Sequence, residues 1–341
     1  MLASCKEVKR QPVGSPYEVL VVCNDAFWDS EAGKALTRAL RIAVPGLPQK
    51  EASLKIIKAK EGKLNSTNEA YRNIILVDIG SNHSKSELRF ERDVYASPQV
   101  VMAIYSPNEK DFAQYVTKNA QVIVDFFSLK ERERQISSLY RKNNRHASSL
   151  IKKKFDCDMK IPSDIAGYKQ GRNFLWFSDY NNPSKVEMLS FAVYSYPYNG
   201  PEDFSKENFI RMRDSMMMEN IQGGEPGQFI KTDAESVTLY EEEYDGKYMS
   251  IARGLWYMEN DCMGGPFVSI SRVDTEANKV IVVEGFVYAP EKMKRGLMRR
   301  LEGSLYTLAL PHEQEAFFEI EGNIEEDKAT AQTVEGQGNA N

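Results

Sequence analysis

Apolar and polar positions follow two different rhythms on either side of about residue 157. The first apolar block, Tyr17–Cys23 (YEVLVVC), is rich in β-branched residues and predicts a buried strand. Behind it Ala35, Leu36, Ala39 and Leu40 recur at helical spacing. Asp29 or Ser30 caps this helix, which runs to about Ile42 and stops before Pro45-Gly46. Strands are predicted near 54–59, 73–79, 89–95 and 99–105. Ser106-Pro107-Asn108-Glu109 has the form of a capping box, with Ser at the cap and Pro at the first helical position. Phe112, Tyr115, Val116, Ile123, Phe126 and Phe127 continue that helix. Ser128-Leu129-Lys130-Glu131 repeats the signature and begins a basic helix, unless the two run on as one.

Beyond Cys157–Pro162 the rhythm changes to long alternating runs. Asn173–Ser178 and Val186–Tyr194 read as strands, and a helix spans Lys206 to Asn220 before Gly223-Gly224. Val237–Tyr244 and Lys247–Tyr257 flank Asp245-Gly246, the sharpest hairpin signal in the chain. Phe267–Val273 and Lys279–Tyr288 form a second hairpin across Thr275-Glu276-Ala277-Asn278. Pro290 opens a last helix, with Met293, Leu297, Leu301, Leu305 and Leu308 on one face. The fold class expected is α+β in two domains, each a mostly antiparallel or mixed sheet with packed helices. The second sheet is expected to have one face covered, and its element order looks like a PsbP/Mog1-type sandwich. The expected organisation is a tether over 1–16, domains over 17–157 and 158–310, and an acidic, mostly disordered tail over 311–341.

Charge sharpens this picture. The chain has 341 residues, 44 Lys+Arg and 49 Asp+Glu, for a net charge of -5. Residues 311–341 hold eight acids and one base, Lys328, which leaves +2 on residues 1–310. Beyond about Glu321 the tail is too polar to offset its ordering entropy. The segment Lys130–Lys154 holds nine bases against Glu131 and Glu133. Ile136, Leu139, Tyr140, Ala147, Leu150 and Ile151 give it an apolar face, so it reads as a docked helix with a solvated basic side. That side offers a contact for an envelope protein or an anionic partner. No nucleic-acid motif accompanies it, and nucleic acid is not an expected partner.

The opening residues carry an address. Leu2-Ala3-Ser4-Cys5 fits the lipobox of a bacterial lipoprotein, in which small residues precede a cysteine whose thiol is acylated. Lys6 to Pro16 then form a polar Pro/Gly/Ser tether. Lipidation at Cys5 would make the membrane a partner and place the body in the cell envelope, anchored and facing the periplasm. A cytosolic protein with an accidental Leu-Ala-Ser-Cys is the alternative.

Candidate chemistry is sparse. With 4 Cys and 3 His there is little from which to build a zinc site or a nucleophile system. No cofactor and no metal are expected, and catalytic residues cannot be named. The most distinctive run is Trp256 to Phe267 (WYMENDCMGGPF). Its Gly264-Gly265-Pro266 serves either as a structural turn or as a loop presenting N–H groups to an anion. Arg253, Trp256, Asp261, Gly264 and Gly265 are the candidate ligand-binding residues. A hydrolase-type enzyme would draw on these with Arg172 and a second acid. The aromatics of Asn173–Phe177 serve either a groove or a core. Three adjacent methionines, Met216–Met218, cannot all face one core. Cys157 and Cys262 could pair in a periplasm.

Leu2–Cys5, PYEVLVVC (Pro16–Cys23), RNFLWFSD (Arg172–Asp179) and RGLWYMENDCMGGPFVS (Arg253–Ser269) resemble the domain-of-unknown-function 4837 family of Bacteroidota lipoproteins. The resemblance spans about Tyr17 to Leu310. It implies an envelope address and transfers no catalytic residue. The expected function is therefore an uncharacterised, membrane-anchored envelope lipoprotein acting as a periplasm-facing binding or scaffolding module. An envelope hydrolase with a site near Gly264-Gly265-Pro266 is the rival.

Overall fold

The computed structural model describes residues 9–59, 63–180, 186–311 and 313. Cys5, His312 and the tail beyond Glu313 lie outside these residues. The chain divides into two compact units. Among the described residues, the first holds those up to Pro45 together with Gln49–Gln135. The second holds Gly46–Pro48 and the residues from Ile136 on.

The first unit contains β1 (Glu18–Val22), α1 (Glu31–Leu40), β2 (Lys55–Lys58), β3 (Asn73–Ile79), β4 (Glu87–Arg92), β5 (Val100–Ser106) and α2 (Glu109–Lys118). Helix α3 (Ala120–Arg141) begins in it. The sheet order is β2-β1-β3-β5-β4. All neighbours are parallel except β4, an antiparallel edge strand. Val19, Val21, Ile75, Met102 and Ile104 pack one face against α1, α2 and α3. Leu20, Ile74 and Val101 pack the other face under loops. Ser30 caps α1 by accepting from the Gly33 N–H. The cap of α2 is Asn108, whose Oδ1 accepts from the Asp111 N–H at 2.9 Å, and not Ser106. Ser106 belongs to β5, where it pairs with Ile79, so its backbone is still extended. The second capping signature does not open a helix, because Ser128 lies inside the unbroken α3.

The division falls within α3, between Gln135 and Ile136, rather than near 157. The basic segment is the end of α3 followed by α4 (Arg145–Phe155), not one helix. Ala147, Ile151 and Phe155 put α4 in the second unit's core. The segment is also not uniformly solvated. Glu131 is buried and takes Nη1 of Arg134 at 2.8 Å and the side-chain amide of the buried Asn73 at 2.7 Å.

The second unit continues with β6 (Gly167–Gly171), β7 (Phe174–Ser178), β8 (Met188–Pro197), α5 (Lys206–Asn220), β9 (Ile230–Tyr244), β10 (Lys247–Met258), β11 (Gly264–Asp274), β12 (Lys279–Tyr288) and α6 (Arg295–Leu305). Its seven strands run β6-β7-β8-β12-β11-β10-β9, every neighbour antiparallel. Asp245 and Gly246 turn β9 into β10 with φ of 53° and 69°, the geometry the Asp-Gly signal demands. Both faces of this sheet are covered, which corrects the expectation of one. Helices α4 and α6 pack on Leu175, Val193, Ile281 and Val283, while α5 packs on Phe174, Tyr194, Val282 and Phe286. Burial on both sides is why β12 is almost continuously apolar.

Candidate functional site

Strand register in the second unit lines up Lys169, Trp176, Ala192, Glu284, Ser269 and Ala252 as successive cross-sheet partners. Directly paired residues share a face, so this is one row beneath α5. Glu284 is the single acid of the IVVEGFV run in β12 and is fully buried. Helix α5 supplies Arg213, also fully buried, from a turn flanked by Phe209 and Met217. Nε of Arg213 donates to Glu284 Oε2 at 2.9 Å and Nη2 donates to Oε1 at 2.7 Å. Nη1 donates to Thr232 Oγ1 at 2.8 Å. Ser269 Oγ donates to the remaining carboxylate face, and the guanidinium carbon sits 4.1 Å from the Phe267 ring centre.

Burial by itself would lower the Arg213 guanidinium, but the Glu284 carboxylate outweighs it and holds the group above its ordinary value. Beside the pair, burial raises the Tyr194 phenol well above its usual range, and the Glu284 charge adds to this. Among the described residues, the buried Tyr194 hydroxyl and Trp176 Nε1 have no hydrogen-bond partner. The cluster ties α5 to the sheet and is closed to solvent. Sequence reasoning passed it over. The available signal was a lone acid in an apolar strand, which burial must pair.

The residues singled out from sequence do not converge. Arg253 projects from β10 toward α6, pairs with Glu302, and donates Nε to the Tyr240 hydroxyl at 3.0 Å. Burial would lower Arg253, and Glu302 more than reverses this. Trp256 points to the opposite face, donating Nε1 to the Val287 carbonyl at 3.3 Å and packing edge-on against Phe286. Asp261 sits in the exposed β10–β11 turn, where its carboxylate accepts from Met263 N–H at 3.1 Å and Gln228 Nε2 at 3.2 Å. Gly264 and Gly265 are strand residues of β11, opposite Tyr257 and Trp256. A Cβ on Gly265 would stand 1.9 Å from the Val287 carbonyl oxygen, so close backbone packing demands this glycine. Arg172 lies in the exposed β6–β7 turn. Cys157 and Cys262 do not pair: Cys157 is buried and Cys262 is exposed in the β10–β11 turn.

What the unit presents at its surface is different. At the β6 edge, Tyr180 stacks on Trp176 with centres 5.4 Å apart, and Lys169 Nζ stands 5.0 Å from the Trp176 ring centre. Tyr180 is 42% exposed. Arg145, Lys152 and Lys153 are exposed on α4, with Asp156 paired to Lys152 at 2.7 Å. No group of three metal-ligating acids, cysteines or histidines occurs among the described residues. Among the same residues, no helix is long and apolar enough to cross a membrane.

Residues 12–140 match the family model of a domain of unknown function (DUF8532), and residues 144–307 match that of a domain of unknown function (DUF4837). The resemblance read over Tyr17–Leu310 is thus confined to the second unit, and PYEVLVVC lies in the other family's span. No curated protein matches the chain. A solved structure from Bacteroides thetaiotaomicron is 13% identical, over 45% of this chain and 44% of its own, with a TM-score of 0.20. The chain spans less than half the length of that protein, and a likeness so slight carries no argument. The chain is thus similar to two families, DUF8532 over residues 12–140 and DUF4837 over residues 144–307.

Proposed function

We propose that this is a lipid-anchored envelope protein of the Bacteroidota, whose periplasm-facing body acts as a binding or scaffolding module. The observation that carries the address is Leu2-Ala3-Ser4-Cys5. Acylation of Cys5 would hold the body close beside a membrane, because by Arg10 and Val13 the chain is already paired with Ala96 and Tyr71 of the first unit. The candidate ligand-binding residues are already engaged within the fold, which weighs against a hydrolase site and against a ligand loop at this place. Arg253 is committed to Glu302, Asp261 to its own turn, and Trp256 and Gly265 to strand packing. Chemistry would require them to leave those contacts. The exposed bases of α4 suit an anionic partner, whether an acidic envelope protein or a phosphate-bearing surface.

The test is expression with the native upstream region, wild type beside Cys5→Ala, with intact masses taken from detergent-extracted membranes. A mature N-terminus at Cys5 carrying acyl mass, lost in the variant, is the expected result. An unmodified soluble chain beginning at Met1 would sink the reading.

A further inference from the structure

The first unit ends in an edge with unusual content. Strand β4 reads Glu87-Leu88-Arg89-Phe90-Glu91-Arg92, and its last four residues are all exposed. Among the described residues no strand pairs with its outer side. Phe90 opposes Met102 of β5, so it stands on the helix-bearing face, yet it is 56% exposed. Its ring meets Phe126 of α3 with centres 5.0 Å apart. One turn back on α3, Val122 is 60% exposed and shares the face of Phe126. Edge strands usually discourage pairing with charges. Here the charges are arranged so that the strand is complementary to itself.

In an antiparallel pair of identical strands about a two-fold axis, opposite residues share a face. The axis therefore passes through a residue. With the axis at Phe90, Arg89 of one copy meets Glu91 of the other, and the reverse pair forms at the same time. Phe90 meets Phe90 between them, on the opposite face, extending the apolar patch of Phe126 and Val122. An axis at Arg89 would set Glu87 against Glu91, and an axis at Glu91 would set that acid against itself. The Phe90-centred register also uses the exposed half of the strand.

We infer that the first unit self-associates through the outer edge of β4, antiparallel, with Phe90 on the two-fold axis. The partner is a second copy of this chain. Joining two five-stranded sheets at this edge makes one continuous sheet of ten. It satisfies the outward N–H and C=O groups of both edges and buries both Phe90 rings.

The experiment is sedimentation velocity of the full chain carrying Cys5→Ala, so that no acyl chain drives association, over a concentration series. A reversible dimer is expected. Arg89→Glu and Glu91→Arg, each alone, turn both cross-strand ion pairs repulsive and should weaken the dimer roughly tenfold or more. The double variant restores opposite charges across the axis and should recover wild-type association. Arg89 and Glu91 are both exposed, and circular dichroism would verify that each variant folds. A monomer at every concentration, a dimer indifferent to the single swaps, or one that the double variant does not rescue would overturn the inference. None of these outcomes bears on acylation at Cys5, so the two readings fail separately.

Discussion

Arg213 and Glu284 are both fully buried and face each other through two charge-assisted hydrogen bonds, 2.9 and 2.7 Å long. A helix and a central strand, 71 residues apart in sequence, are locked by one ion pair. Removing one partner strands the other charge in a dry core. Glu284→Ala should therefore cost about 3–5 kcal/mol in denaturant unfolding. Arg213→Met with Glu284→Leu removes both charges and should cost much less than the two single changes together. A Glu284→Ala variant as stable as wild type would contradict the assigned pairing.

Gly265 separates a packing role from a ligand role. Ala at this position would drive Cβ into the Val287 carbonyl, so the β11–β12 pairing must shift. Thermal unfolding of Gly265→Ala should show a loss of about 1–3 kcal/mol. Gly246→Ala, where the obstacle is the backbone conformation of the hairpin rather than a clash, should cost about 1 kcal/mol. If Gly265→Ala is neutral, the strand register at this position is wrong.

The cysteines differ sharply in reach. Burial pushes the Cys157 and Cys23 thiols up to about 12, whereas Cys262 is exposed. In the Cys5→Ala chain at mildly alkaline pH, a chromogenic disulfide reagent should label Cys262 alone and promptly. Cys23 and Cys157 should react only on unfolding. Prompt labelling of Cys157 would refute its place in the core.

Glu313 should make stability depend on acid pH. Burial would raise its carboxyl, but hydrogen bonds from Arg272 and the Leu310 N–H outweigh this and hold it below the ordinary 4.5. Below 4.5 the unfolded chain takes up this proton before the folded one, so the contribution is present above that pH and fades as pH falls through the folded value. Stability of Glu313→Gln should lie below wild type at pH 7 and converge with it in acid. A gap that stays constant across that range would exclude the pairing.

Much of the architecture was legible along the chain. Strand Lys279–Tyr288 and helix Lys206–Asn220 follow from their own residues, because apolar periodicity and turn chemistry are local. Asp245-Gly246 needs φ above zero and announces it. Strand β6 was missed: Gly167-Tyr168-Lys169-Gln170-Gly171 has no apolar alternation and is a strand only because β7 offers its edge. The family resemblance was likewise legible, carried by the run around Gly264-Gly265-Pro266, though it extended too far toward the N-terminus.

What sequence alone determined is therefore most of the elements, the α+β class and the resemblance to DUF4837, since each depends on residues close together. Tertiary structure decided which side chains meet. Arg253 and Trp256, three residues apart on β10, fall on opposite faces as strand alternation requires, so what each meets is set by the helix that covers its face. Arg213 and Glu284 are distant yet bonded. Strand order, the irregularity between Arg253 and Leu255, and the covering of both sheet faces settle such meetings. They arise from long-range pairing and burial, where a residue's partner is set by the path of the whole chain rather than by its neighbours.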